Sequence, residues 1–278
     1  MLSASDVPVT AIRPARQSGL PDFRELWRAR DLAFILAWRD VKVRYKQSLI
    51  GVAWAVLQPL LTMVVFTLIF GKFAQLPSQG LPYPVFSMLN LVPWTFMAAM
   101  FTLTSGCVLA NRMLVQKVHF PLLILPLACV LVPLIDFTFS FTVGLGITAW
   151  YDVSIQSTIV FVPLFLLMLA MTAIGLGSFL AVINVRYRDV PYVVPFLVQL
   201  WLFASGVIYA AEALPARYID IASLNPAIGA ITGFRWAVAG TPPPTTNMLV
   251  LGWTSAIVLF VAGLWFYRRA EHRFADTL

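Results

Sequence analysis

Four cations crowd a stretch of eight residues just ahead of a long apolar run: Arg39, Lys42, Arg44 and Lys46. Such a cluster binds anions, and beside a bilayer the anion at hand is a lipid headgroup of the inner leaflet. Other chemistry-bearing residues are sparse. Asp136 is the single acidic residue inside the long apolar runs, and His119 and His272 stand far apart outside them. Asp136 has two readings, a functional intramembrane group or a buried aspartate satisfied by neighbouring hydroxyls. Cys107 and Cys129 fall in apolar runs without CxxC or metal-ligand spacing, and read as small buried hydrophobes. GxxxxGK[ST], HExxH and GxSxG are all missing, so the chain has no phosphate loop or hydrolase motif of its own. One intramembrane aspartate is thin support for an ion-driven transporter, which buries several ionisable groups. The chain reads as a conduit powered from elsewhere.

The elements that must position these residues are membrane helices. Of 278 residues, 60% are hydrophobic and 11% charged; soluble domains run at about 45–50% and about 25%. Six runs, at about 50–70, 85–110, 122–150, 159–183, 193–211 and 249–267, are each long enough to cross about 30 Å of hydrocarbon. Counted over alternate connecting segments, sixteen Lys and Arg fall on one side and three on the other. The richer side is cytosolic, which places both termini inside. The net charge of +7 therefore follows membrane topology and does not point to nucleic acid. Residues 1–21 lack the apolar core of a signal peptide and are expected to form a flexible cytosolic tail.

Residues 22–47 precede the first run. Phe23, Leu26, Trp27, Phe34, Trp38, Val41 and Tyr45 recur at helical spacing among Arg and Lys residues, with Asp22 as the expected N-cap. A basic amphipathic helix with two tryptophans fits the membrane–water interface. Two readings stand: a helix that only obeys topology, or one whose Arg39, Lys42, Arg44 and Lys46 receive a headgroup.

Several segments are similar to one family. Asp40-Val-Lys-Val-Arg44-Tyr45-Lys46-Gln-Ser48-Leu-Ile-Gly51-Val-Ala-Trp54 with Gln58-Pro59-Leu60 resembles the opening of the permease subunit of bacterial polysaccharide exporters in the type 2 ABC exporter superfamily. Asn111-Arg112-Met-Leu114-Val-Gln-Lys117-Val-His119-Phe120-Pro121 resembles that family's first cytosolic loop. Asn184-Val-Arg186-Tyr-Arg188-Asp189 resembles its second, and Leu224-Asn225-Pro226 with Arg235 its loop after the fifth span. The resemblance covers roughly residues 25–270 and implies an all-α polytopic permease. Its parts would be an interface helix over 22–47, a six-span domain over 48–278, and short re-entrant gate helices between spans five and six.

The resemblance further implies a homodimer in the bacterial inner membrane with two copies of a separate ABC ATPase. The cargo would be an undecaprenyl-diphosphate-linked glycan such as O-antigen, teichoic acid or capsule. ATP and Mg would sit on the partner ATPase, with no cofactor or metal on this chain. Residues 111–121 would be the coupling helix, with Arg112, Lys117 and His119 as charges and Leu114, Val115 and Phe120 as apolar knobs. Channel and gate candidates are Phe66, Phe70, Trp94, Phe101, Asp136, Phe137, Phe141, Trp201, Asn225, Pro226 and Arg235. Short gate helices are expected over 219–222, 228–231 and 234–239, with Gly229 and Gly233 spaced for close helix approach. A drug or lipid exporter of the same superfamily, a membrane enzyme acting on lipid-linked sugars, and a membrane scaffold are the alternatives.

Overall fold

A backbone in hydrocarbon must bond to itself, and apolar runs of this length do so as helices. The structure is a computed structural model that describes residues 23–46, 53–118, 120–187, 189–210, 215–271 and 274. The expected tail 1–21, the Asp22 cap, His119, Arg188 and His272 lie outside the described residues. The described residues form helices and the turns that join them, with no strand among them.

The expected interface helix is two pieces, α1 (Phe23–Arg28) and α2 (Arg30–Lys46). Next come α3 (Ala53–Phe66), continued as a π-helical stretch to Phe73, and α4 (Tyr83–Ala110). A short α5 (Arg112–Lys117) follows, then α6 (Ile124–Ala128) and α7 (Leu131–Trp150). The chain continues through α8 (Val162–Arg186), α9 (Val190–Phe203), α10 (Ala216–Ser223), α11 (Pro226–Ala239) and α12 (Thr246–Ala270). Among the described residues, five helical segments are long and apolar enough to cross a membrane: Ala53–Phe73, Tyr83–Ala110, Ile124–Trp150, Ser157–Arg186 and Thr246–Ala270.

The fifth expected span, 193–211, is shorter in the structure. Its helix, α9, has 14 residues, about 21 Å at about 1.5 Å per residue. After Phe203 the chain leaves the helix through Gly206 at φ +67°. The departure is tolerated because α4 supplies the missing partners: Asn90 Nδ2 donates to Val207 O at 3.0 Å and Tyr83 OH to Ile208 O at 2.9 Å. The third run also differs. It breaks after Ala128, and Pro133 lies in the first turn of α7, where its missing N–H costs no helical bond. The gate segments expected at 228–231 and 234–239 form one helix, α11. Asn225 caps it by accepting from Ala227 N at 3.2 Å, and Pro226 takes its first position.

Helix α8 lies between α4 and α12, and glycine permits the approach. A Cβ on Gly175 would stand 2.4 Å from Leu259 O, and one on Gly263 would stand 2.0 Å from Gly175 O. Substituting either glycine would force α8 and α12 apart.

Candidate functional site: a polar–aromatic groove and its cationic mouth

Helices α3, α4, α7 and α9 enclose an open groove of about 770 Å³. Its lining mixes amides (Gln58, Gln199), hydroxyls (Thr62, Thr95, Thr102, Ser140) and rings (Trp54, Trp94, Phe96, Phe137). The hydroxyls are satisfied without leaving the groove wall. Thr62 donates to Gln58 O at 2.9 Å, Thr95 to Val92 O at 3.0 Å and Thr102 to Ala98 O at 2.8 Å. Each hydroxyl oxygen keeps lone pairs for an incoming donor. A wall of acceptors alternating with flat apolar rings suits a chain of hydroxyl-bearing, partly apolar units.

Two charged residues, Arg44 and Asp136, line the groove. Asp136 lies five residues into α7, above the break, and so near the end that faces α2. Arg44 Nη2 is 2.7 Å from Asp136 Oδ2, and Tyr45 OH donates to Asp136 Oδ1. Burial, and then the Asp136 carboxylate, push the Tyr45 hydroxyl well above its ordinary pKa. Asp136 thus has a charged donor on one oxygen and a hydroxyl, that of Tyr45, on the other.

The other candidates for the anion site are dispersed along α2. Lys42 and Lys46 are exposed. Arg39 turns elsewhere: it chelates Asp40 at 2.7 Å and donates to Asn111 Oδ1 at 2.7 Å. Asn111 in turn donates to Cys107 O at 2.8 Å, so α2 is tied to the junction of α4 and α5. The apolar residues of α2 fall on two faces. Leu36, Ala37 and Val41 are buried, Leu36 and Ala37 in the cluster that holds Cys107 and Leu123, while Phe34 and Trp38 stack in the open with ring centroids 6.2 Å apart.

On α5 the apolar knobs point inward. Val115 is buried, and Leu114 and Phe120 pack against the same cluster. The face left outward is Arg112, Met113, Gln116 and Lys117, followed by Val118. In the second loop Arg186 stands over the Tyr187 ring, its guanidinium carbon 5.5 Å from the centroid, and Asp189 leads into α9.

Of the seven aromatics expected along a channel, Trp94 and Phe137 line the groove. Phe101 packs behind it on Trp201 with centroids 5.8 Å apart, and Phe141 stacks on Phe137 at 5.2 Å. Phe66 and Phe70 form an edge contact at 5.4 Å in a cluster with Tyr83 and Phe86, and Phe66 also packs against the main core. Trp201 Nε1 donates to Asn225 Oδ1 at 3.0 Å, and Asn225 Nδ2 donates to Ala204 O at 2.9 Å, so Asn225 joins the end of α9 to the start of α11. Arg235 is fully buried. It donates to Gln79 Oε1 and Asn90 Oδ1, each at 2.9 Å, with its guanidinium carbon 4.9 Å from the Phe86 ring centroid. Asn225 and Arg235 therefore fasten α9, α11 and the 74–82 connection to α4, away from the groove wall.

The sequence reading missed Trp54, Gln58, Thr62, Thr95, Thr102 and Gln199 as lining residues. Gln58 and Gln199 carried a usable signal, since a lone amide in an apolar run needs a polar neighbour or water.

Comparison with known proteins matches the family described as ABC-2 type transporter over residues 31–238. The chain belongs to that family. It is 30% identical over 260 residues to the O-antigen export system permease protein RfbA of Myxococcus xanthus, covering 92% of this chain and 98% of that one. A protein of the same description from Klebsiella pneumoniae is 26% identical over 89% of this chain and 95% of that one. The polysialic acid transport protein KpsM of Escherichia coli is 22% identical over 84% of this chain and 91% of that one. The matched region, 31–238, takes in the groove and all but one end residue each of α2 and α11. This ABC-2 family chain is a multi-pass membrane protein by its membership and its five membrane-length helices.

Proposed function

We propose that this chain is the membrane-spanning subunit of an ATP-driven exporter that moves a lipid-linked polysaccharide from the cytosol across the inner membrane. The observation that carries the reading is the groove: amides, hydroxyls and rings in one wall, with a single arginine-bearing mouth beside the interface helix. The relatives named for O-antigen export and polysialic acid transport support a glycan cargo.

The chain works as a homodimer, each copy supplying one groove wall to a shared passage. Six crossings, with α9 as a shortened fifth, put both termini in the cytosol, in keeping with the Lys and Arg asymmetry. Two copies of a cytosolic ABC ATPase dock on the outward face of α5, and ATP and Mg act there. Arg44 receives the diphosphate at the groove mouth, while the glycan threads the groove.

Blocking the groove tests this. Thr95→Cys and Thr102→Cys, alkylated with a bulky thiol reagent in the intact permease–ATPase complex, should stop glycan export while the ATPase stays bound. Unchanged export after full labelling would remove the groove from the path.

A further inference from the structure

Arg44 is the guanidinium at the groove mouth, and it is already occupied. Its partner Asp136 is 14% exposed at the side chain, against 44% for Arg44. Both carboxylate oxygens of Asp136 are taken by α2, one by Arg44 and one by Tyr45. Two consecutive residues of α2 therefore bind one side chain of α7 at the inner end of the groove. Among the described groove-lining residues no other charge is present to satisfy Arg44 or to compete with Asp136.

This arrangement has a consequence for any anion that enters. The anion must take Arg44 from a carboxylate held 2.7 Å away. Having done so, it lies beside Asp136, which is then a repelling charge. A phosphodiester headgroup carries one negative charge, the same as the carboxylate it must displace, and it gains little by the exchange. A diphosphate carries at least two charges and several more acceptor oxygens, so it can offer Arg44 a bidentate pairing and more negative charge than the carboxylate it displaces. The surrounding leaflet is full of phosphodiester lipids, so a bare Arg44 would be filled by them.

We infer that Asp136 is a built-in competing anion: it holds Arg44 and Tyr45 against α7 so that monoanionic phospholipids are refused, and releases them to a diphosphate headgroup. The inference rests on the reading of Arg44 as the group that receives the headgroup. It assigns Asp136 a role in selecting the lipid carrier, with Tyr45 as the residue that positions it.

The test uses the full permease–ATPase complex in nanodiscs of zwitterionic lipid. Binding of a polyprenyl diphosphate and of phosphatidylglycerol is titrated separately for the wild type, Asp136→Asn, Tyr45→Phe and Arg44→Gln. The wild type should prefer the diphosphate. Asp136→Asn should bind phosphatidylglycerol about tenfold more tightly with a smaller gain for the diphosphate, so that the preference falls. Tyr45→Phe keeps the ion pair and should move the preference the same way by less; it decides the matter if Asp136→Asn does not fold. An unchanged or increased preference in these variants overturns the inference. Arg44→Gln separates the two layers. Diphosphate binding that survives it at wild-type strength defeats the headgroup reading itself; diphosphate binding lost in Arg44→Gln together with an unmoved preference in Asp136→Asn defeats only the role of Asp136.

Discussion

Gly233→Ala is a sharp test of how α11 is seated. A Cβ at Gly233 would lie 2.1 Å from Phe165 Cε1 and 2.3 Å from Cζ. Ordinary carbon contacts sit at about 3.5–4.0 Å, so the ring or the helix must shift by about 1.5 Å. The Phe165 ring has nowhere to go, being 3% exposed within the main core. Overpacking of this kind costs about 1–3 kcal/mol, and the gain in helix propensity from glycine to alanine returns at most about 1 kcal/mol. A contact this close belongs at the upper end of that cost, so the net loss is about 2 kcal/mol. At about 2–4 °C per kcal/mol for a chain of this size, the midpoint of thermal unfolding in detergent should fall by about 4–8 °C. Phe165→Leu should cost stability in the wild type but recover most of the loss in the Gly233→Ala background. A Gly233→Ala protein as stable as the wild type, with no coupling to Phe165, would refute the packing argument.

Other expectations can be checked in the same preparations. Asn225→Ala removes the α11 cap and the bond from Trp201, and should destabilise by about 2–4 kcal/mol in reversible unfolding. Charge reversal of Arg112 and Lys117 together, both outward on α5, should lower ATPase affinity about tenfold in a pulldown without changing permease stability. The raised pKa of the Tyr45 hydroxyl means the folded protein holds that proton more tightly. Its bond to Asp136 therefore contributes fully below about pH 10 and is lost only as the pH rises through the raised value. The phenolate absorbance of the wild type and of Tyr45→Phe should then be the same at pH about 10, where an ordinary tyrosine is half ionised.

Much of the architecture was legible because the bilayer imposes it: length of apolar run and placement of Lys and Arg are one-dimensional signals. Four of the six runs coincide with membrane-length helices within a few residues at each end, and the first, 50–70, continues three residues further to Phe73. Where the reading departed from the structure, a tertiary partner decided. The fifth run ends early because Asn90 and Tyr83, more than a hundred positions away, donate to the carbonyls it leaves unpaired. Sequence periodicity cannot show such a partner. The same holds for the site. Arg44 and Asp136 each stand out by type and place in the sequence, but their pairing spans ninety-odd residues and is visible only in three dimensions. The aromatic candidates were chosen by type, and rings are as useful in a core as along a path, so Phe101 and Trp201 support the wall rather than form it.

As proposed above, this chain is a passage driven by a separate nucleotide motor. The deciding experiment is to reconstitute it into vesicles with and without its ATPase and to follow transfer of a diphosphate-linked glycan to the far leaflet. Transfer should require both the ATPase and ATP hydrolysis; transfer by this chain alone at a comparable rate would contradict the account.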